Sequence, residues 1–360
     1  MKTSPLVSVV VPARDAARFL PDTLRSVLAQ GGVALEVIVV DDGSTDDTPA
    51  VLRRFSDRIT VVSQANAGQS AARNAGVARA AGRFLVFVDA DDLFFPGVLR
   101  SQLEVLQADP ARTMVVCRSL FFTSSDAAGA PIRSGEWRLF REDLDAHLCH
   151  FNIAPPHAFM VRREAVERAG GFDPGLRACE DHDLWFRLAV AGPPPAVNPG
   201  GLVAYRRHPG GMSRDLDRQR RHDAIMHHRV AATLREVDFP AGGRLEGLLG
   251  CLAGCLLTAS RLEAGRPGEA GELIGLARDV LDRLGRESPP PGRDPGTAGY
   301  FLLRLAATLP RLSGLDQGFS EAVRELRARL ARCGGAGVGW RAAWGADPEA
   351  LERLTARLVF

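Results

Sequence analysis

Apolar residues come first in short, dense runs. Leu6–Val11 (LVSVVV), Leu35–Val40 (LEVIVV), Ile59–Val62 and Phe84–Val88 (FLVFV) are β-branched or aromatic and are closed by polar residues. Such runs predict strands, Leu6–Val11 buried on both faces and Phe84–Val88 buried as well. Between them the spacing changes to a helical period. Phe19, Leu20, Leu24, Val27 and Leu28 share one helical face, Thr45–Phe55 reads as a helix capped by Thr45 or Asp46, and Gln69–Ala81 is a third helix. A further helix is expected around Pro96–Gln107. Strands alternating with helices predict a parallel sheet of the α/β class.

The pattern is mixed from Met114 to Ala204. Met114–Val116 and Ser119–Thr123 read as strands, and Arg163–Ala169 and Asp181–Ala191 as helices. Beyond about Ser213 only helices are expected: Ala224–Val237, Leu245–Leu262, Gly268–Leu284, Ala298–Leu309 and Glu321–Arg332, with a loop at Ser288–Gly296. Leu252 to Leu284 has the look of one tetratricopeptide-like helix pair, and one unit does not make an array. At 360 residues the chain is expected to hold two domains, 1–215 and 216–360.

The charge is nearly balanced, with 45 Lys+Arg against 43 Asp+Glu, and no region carries the basic excess of a nucleic-acid binder. Lys2 is the single lysine. Chemistry that needs a lysine on a phosphate, in a Schiff base or on a kinase strand is therefore excluded. The six cysteines include no C-x-x-C pair, which argues against a zinc ribbon and for a reducing compartment. No signal-peptide core opens the chain, and its longest apolar stretch, Gly247 to Ser260, is too short to span a bilayer. The expected location is cytoplasmic, with any membrane contact peripheral at the inner face of the plasma membrane. The arginine-rich segment Arg206–Arg229 suits either anionic head groups or a solvated helix face.

Polar clusters stand at the carboxyl ends of the four strands: Pro12–Asp15, Asp41–Ser44, Asn66–Gln69 and Asp89–Asp92. In open α/β sheets that is where ligands bind. Asp89, Asp91 and Asp92 follow a buried strand directly, and carboxylates this close repel one another unless something positive neutralises them. An oxygen-rich, cysteine-free cluster suits Mg²⁺ or Mn²⁺ shared with substrate phosphates. The competing reading is a solvent-facing helix cap.

Five segments in order, VSVVVPARD, VIVVDDGSTDDT, NAGQSAARNAG, FVDADD and GGFDPGLRACEDHDLWFRLA, make residues 5–215 resemble the nucleotide-sugar domain of family 2 glycosyltransferases. The resemblance implies the GT-A fold, a Rossmann-like and mostly parallel central sheet flanked by helices, here followed by an α-helical C-terminal extension. It implies a metal-dependent inverting transfer from a nucleotide-diphosphate sugar, most often a UDP-sugar, to an acceptor hydroxyl in bacterial surface polysaccharide, glycolipid or glycoprotein assembly. The acceptor is a glycan, a lipid-linked sugar or a protein, and the cofactor Mn²⁺ or Mg²⁺.

Roles follow position by position. Pro12, Ala13, Asp41 and Asp42 match the positions that hold the nucleotide base and ribose, and the two aspartates equally suit a turn. Arg73 matches a nucleotide-proximal arginine and equally suits an ion pair with the acidic cluster. Asp91 matches the metal ligand and Asp89 a position near ribose and metal. Asp92 is read as a supporting group or a cap. Asp181 matches the general base, or caps a helix starting at His182, and Glu180 would orient it. His208, in Y-R-R-H, would complete the metal site or bind phosphate beside Arg206 and Arg207; the competing reading is a solvated basic loop. His157 falls where the family lines the acceptor pocket, and Trp185 suits a sugar platform; both also suit ordinary packing. The Q-x-x-R-W motif of processive synthases is absent, so single-sugar transfer is expected. A nucleotidyltransferase or a dinucleotide dehydrogenase would need a glycine-rich loop after the first strand, and Pro12–Asp15 is not one. A non-catalytic nucleotide-sugar-binding or scaffold subunit on the same fold is the alternative from another class.

Overall fold

The computed structural model describes residues 6–125, 131–137, 144–211, 215–236, 244–262 and 265–284. The expected helices Ala298–Leu309 and Glu321–Arg332, the Ser288–Gly296 loop and Cys333 lie outside them. The chain divides into two compact units, Met1–Leu139 with Ile153–Arg214, and Phe140–Asn152 with Asp215–Phe360.

The first unit is built on one nine-stranded sheet among the described residues. It opens with β1 (Val7–Ala13), α1 (Leu20–Leu28), β2 (Leu35–Asp42), α2 (Thr48–Arg53), β3 (Thr60–Gln64), α3 (Gln69–Arg79) and β4 (Phe84–Phe87). Strands β3, β2, β1 and β4 lie side by side and parallel. Val7, Val9, Val10 and Val11 of β1 are fully buried, as a dense apolar run requires.

β5 (Leu93–Phe94) and α4 (Val98–Ala108) lead into β6 (Met114–Ser125) and β7 (Pro131–Trp137). In the second unit α5 (Leu144–Leu148) follows. A single 3-10 turn then enters β8 (Phe159–Arg162), α6 (Arg163–Arg168), α7 (Glu180–Ala191) and β9 (Ala196–Arg206). This half of the sheet is mixed: β8 is antiparallel to β4 and β6, while β9 is parallel to β6 and antiparallel to β5. The two strands expected at Met114–Val116 and Ser119–Thr123 are one strand, β6. Its register against β9 shifts between Cys117 and Arg118, opposite Asn198–Leu202.

The second unit contains α5, α8 (Leu216–Glu236), α9 (Arg244–Leu262) and α10 (Pro267–Leu284). Helix α8 begins before the expected Ala224. Its first turns, LDRQRRHD, carry too few apolar residues to show a period. Among the described residues no helix is long and apolar enough to cross a membrane.

Candidate functional site

The crevice lies at the carboxyl ends of β1, β2 and β4, and two loops stitch it together. Asp15 Oδ1 accepts the Thr45 N–H at 2.7 Å and the Thr45 hydroxyl at 3.1 Å, and Ser44 Oγ accepts the Asp15 N–H at 3.0 Å. These bonds, the Thr45 N–H first, hold the Asp15 carboxyl below its ordinary value despite partial desolvation. Gly43 sits at φ +74°, and a Cβ there would meet the Asn66 nitrogen at 2.8 Å, so only glycine closes this turn. Helix α2 is preceded by Asp47 rather than Thr45 or Asp46, and Asp46 instead accepts the Thr48 N–H at 2.8 Å.

The adjacent aspartates at the end of β2 do different work. Asp42 uses both oxygens to hold the next loop: Oδ1 accepts from Gln64 Nε2 at 2.7 Å and the Ala67 N–H at 2.8 Å, and Oδ2 accepts the Gly68 N–H at 2.9 Å. Asp41 gives one oxygen to the Ser44 N–H at 3.0 Å. It lies in register with Ala13 of β1, and Pro12 with Val40. Pro12, Ala13 and Asp41 therefore stand together at the carboxyl ends of β1 and β2.

The three carboxylates after β4 turn to different partners, and their mutual repulsion persists. Asp89 Oδ1 accepts from Gln69 Nε2 and from Arg73 Nη2, both at 2.7 Å. Asp91 Oδ2 lies 2.7 Å from His208 Nε2. Asp92 is fully buried; its Oδ1 accepts the Arg206 N–H at 2.7 Å and its Oδ2 faces His157 Nδ1 at 3.2 Å. Burial, then the charges of Asp91 and Asp89, pushes the Asp92 carboxyl well up. Asp91 is also raised, by burial and then by Asp89, with the His208 hydrogen bond opposing. Burial takes His157 down to about 4, so its ring is neutral at pH 7. Asp92 is not a helix cap, because α4 starts at Val98 behind Gly97.

Arg73 joins the two acidic motifs. Its guanidinium is 1% exposed, with Nη2 on Asp89 and Nη1 on Glu180 Oε1 at 2.6 Å. It lies over the Phe172 ring at 5.1 Å. Burial opposes its charge, but Asp89, Glu180 and Asp181 together raise its pKa. Both terminal nitrogens thus donate to protein carboxylates, as the ion-pair reading expects. The neighbouring Asn74 exchanges two bonds with Phe172, Nδ2 donating to its carbonyl at 2.8 Å and Oδ1 accepting its N–H at 2.9 Å. Helix α3 therefore grips the segment that carries Glu180-Asp181 from a hundred residues away. Gln69 and Asn74 lie within a recognised motif, yet nothing local in the sequence reveals these bonds.

Helix α7 begins at Glu180, two residues earlier than the cap reading of Asp181 requires. Cys179 precedes it at φ 58°, without a side-chain cap. Asp181 thus lies in the first turn, where negative charge is favoured by the helix dipole. Among the described residues Asp15 and Cys179 are the non-glycine positions with positive φ, and both flank the crevice. Strain of this kind costs about 1–3 kcal/mol and clusters at functional sites.

His157 and Trp185 are fully buried, so neither ring presents a face to an acceptor as expected. Trp185 stacks on Phe159 with centroids 4.6 Å apart, a packing role. Arg206 lies between Phe19 and Phe122, at 4.7 and 4.5 Å from their centroids, and donates from Nε to the Asp91 carbonyl at 2.7 Å. Phe19 also packs on His208 at 4.7 Å. Its sequence context shows only an apolar helix-start residue, so this contact is not legible from spacing.

Asp91 and His208 fit a hard divalent ion: a carboxylate and an imidazole nitrogen converge, in surroundings that leave the carboxylate short of positive charge. Asp89 already accepts two donors at one oxygen. Among the described residues no three His, Cys, Asp or Glu side chains form a cage by themselves.

Residues 8–170 match the family model described as glycosyl transferase family 2. The succinoglycan biosynthesis protein ExoO of Rhizobium meliloti is 32% identical over 230 residues, covering 59% of this chain and 64% of its own. Chondroitin synthase of Escherichia coli is 29% identical over 213 residues, covering 58% and 29%. The uncharacterized glycosyltransferase RP339 of Rickettsia prowazekii is 26% identical over 187 residues, covering 51% and 59%. The chain thus matches 59–64% of the length of these first curated relatives apart from the much longer chondroitin synthase. Among solved structures, the mannosyltransferase PcManGT from Pyrobaculum calidifontis, in complex with GDP-Man and Mn²⁺, superposes with TM-score 0.53 at 20% identity, covering 92% of this chain and 86% of its own. Residues 1–349 of S. aureus TarS superpose with TM-score 0.57 at 14% identity, covering 92% and 93%. These likenesses show the fold, the mixed α/β GT-A architecture with C-terminal helices.

Proposed function

The chain belongs to glycosyl transferase family 2 through residues 8–170, and from that premise we propose an inverting, metal-dependent transferase. It moves a sugar from a nucleotide-diphosphate sugar, UDP-sugars first, to an acceptor hydroxyl of a glycan, lipid-linked sugar or protein in bacterial surface assembly. The observation that carries the reading is Arg73. By bonding Asp89 and Glu180 in the protein interior, it brings the D-x-D and E-D motifs into one site.

The proposed roles, taken from the family resemblance, are supported by the geometry. Asp41, with an oxygen beyond its Ser44 bond, accepts from a base N–H or a ribose hydroxyl above Pro12 and Ala13. Asp42 shapes the loop beneath. Asp181, in the first turn of α7, takes the proton of the acceptor hydroxyl as that oxygen attacks the anomeric carbon. Glu180, fixed by Arg73, sets the start of that helix. Asp91 and His208 would hold Mn²⁺ or Mg²⁺, which when bound neutralises the departing diphosphate. The ExoO and chondroitin synthase similarities support polysaccharide assembly as the setting.

A thermal-shift panel of nucleotide sugars with Mn²⁺ tests the donor class, since a ligand of the folded state raises the apparent stability. A UDP-sugar or another nucleotide-diphosphate sugar should raise Tm, and by more when metal is present. No shift from any donor would overturn the proposal. Asp181→Asn should keep the donor shift and lose transfer; retained transfer would remove Asp181 as the base.

A further inference from the structure

We infer that Asp92 and His157 are positioning residues for the metal site: a buried bracket that fixes the end of β9, and through it His208, against Asp91. The inference rests on the reading above, in which Asp91 and His208 hold the cation.

The bracket consists of alternate backbone groups of β9 held by two fully buried side chains. Asp92 Oδ1 accepts the Arg206 N–H at 2.7 Å. His157 Nε2 lies 3.2 Å from the Ala204 carbonyl. A carbonyl can only accept, so the ring proton is on Nε2 and the Nδ1 lone pair faces Asp92. Asp92 Oδ2 and His157 Nδ1 have no other hydrogen-bond partner and stand 3.2 Å apart. The His157 ring is held edge-on against Phe94, with centroids 5.8 Å apart. Two residues beyond Arg206, His208 reaches Asp91 at 2.7 Å. The Arg206 side chain returns to the Asp91 carbonyl at 2.7 Å. Strand β9 is thus tied to both residues of the Asp91-Asp92 turn, and His208 inherits its position from those ties.

Burying a carboxyl and an imidazole side by side is expensive, and an apolar pair of similar volume would fill the same space more cheaply. An apolar pair would not hold the Ala204 carbonyl and the Arg206 N–H in place. Groups that orient a metal ligand typically change metal affinity by 10–100-fold when lost.

The test titrates Mn²⁺ into the full chain with UDP present, reading free Mn²⁺ by electron paramagnetic resonance. UDP binding in EDTA and circular dichroism are measured in parallel. His157→Phe and Asp92→Ala should weaken Mn²⁺ binding by about tenfold or more, with UDP binding in EDTA unchanged. Asp92→Asn should restore Mn²⁺ affinity to within about threefold of wild type, well inside that loss. Its amide can accept from Arg206 with the oxygen and donate to His157 Nδ1 with the nitrogen. A folded His157→Phe with wild-type Mn²⁺ affinity, while Asp91→Ala loses it, overturns the bracket alone. So does an Asp92→Asn that fails like Asp92→Ala, and this variant decides the matter if the other two do not fold. Wild-type protein that binds no Mn²⁺ overturns the metal-site reading itself, and the bracket with it.

Discussion

Replacing Arg73 by Met separates its two readings. The guanidinium is 1% exposed, and its partners Asp89 and Glu180 are 21% and 6% exposed, so little solvent screens the pairs. Met keeps much of the side-chain volume and removes the charge. It leaves two neighbouring carboxylates buried without a cation, a change that typically costs about 3–5 kcal/mol. For a unit of roughly 200 residues each kcal/mol lowers Tm by about 2–4 °C, so a fall of roughly 6–20 °C is expected. Glu180→Gln removes one charged hydrogen bond while Arg73 keeps Asp89, a loss of about 1.5–3 kcal/mol. The double variant should be more stable than the sum of the two losses predicts, because one of the stranded carboxylates is gone. Urea unfolding of ligand-free protein, followed by circular dichroism, measures all three. A loss below about 1 kcal/mol for Arg73→Met, far under the buried-pair range, would refute the clamp, as would additivity in the cycle. If Arg73 instead served the nucleotide, the ligand-free protein would be spared and donor binding alone would suffer.

Asp42→Ala should destabilise the ligand-free protein by about 1–3 kcal/mol, since it strands the Gln64, Ala67 and Gly68 donors; Asp41→Ala should chiefly weaken nucleotide affinity, measured by calorimetry with UDP. Gly254→Ala in α9 should destabilise by about 1–3 kcal/mol, against helix propensity, because its Cβ would meet His227 Cε1 at 2.3 Å. Gly275→Ala in α10 has open space and should stabilise by up to about 1 kcal/mol, so opposite signs in thermal unfolding check the packing of the helical unit. Asp15 has its folded pKa lowered, so its contribution is present above the ordinary aspartate value of 3.8 and lost as pH falls through the folded value. Asp15→Ala should therefore flatten the acid limb of the stability–pH curve below about 3.8 and leave its neutral slope unchanged.

Three of the four parallel strands were legible as mostly apolar, β-branched runs, and the ligand crevice because polar clusters close those runs; β3, TVVSQ, is largely exposed. The strands that were not legible lack such runs. β9 carries Asn198-Pro199-Gly200-Gly201, β7 reads PIRSGEW, and β8 is only Phe159–Arg162. In the site, residue types were readable but partners were not. Arg73 presented two equal roles because Glu180, 107 positions away, is what distinguishes them. Asp41 and Asp42 look alike in sequence, and only the loop that folds back to Asp42 separates them. His157, by its place in the family pattern, and Trp185, as a sugar platform, suggested an acceptor surface. Their complete burial comes from the packing of β8 and α7 within the sheet's core, which no local spacing encodes.

The central claim is tested most directly by release of nucleoside diphosphate from a nucleotide-sugar panel, with Mn²⁺ or with EDTA, in wild type and Asp91→Ala. The account predicts release from at least one donor by wild type with Mn²⁺, and none with EDTA or from Asp91→Ala. Release that is equal in EDTA, or undiminished in folded Asp91→Ala, would contradict it.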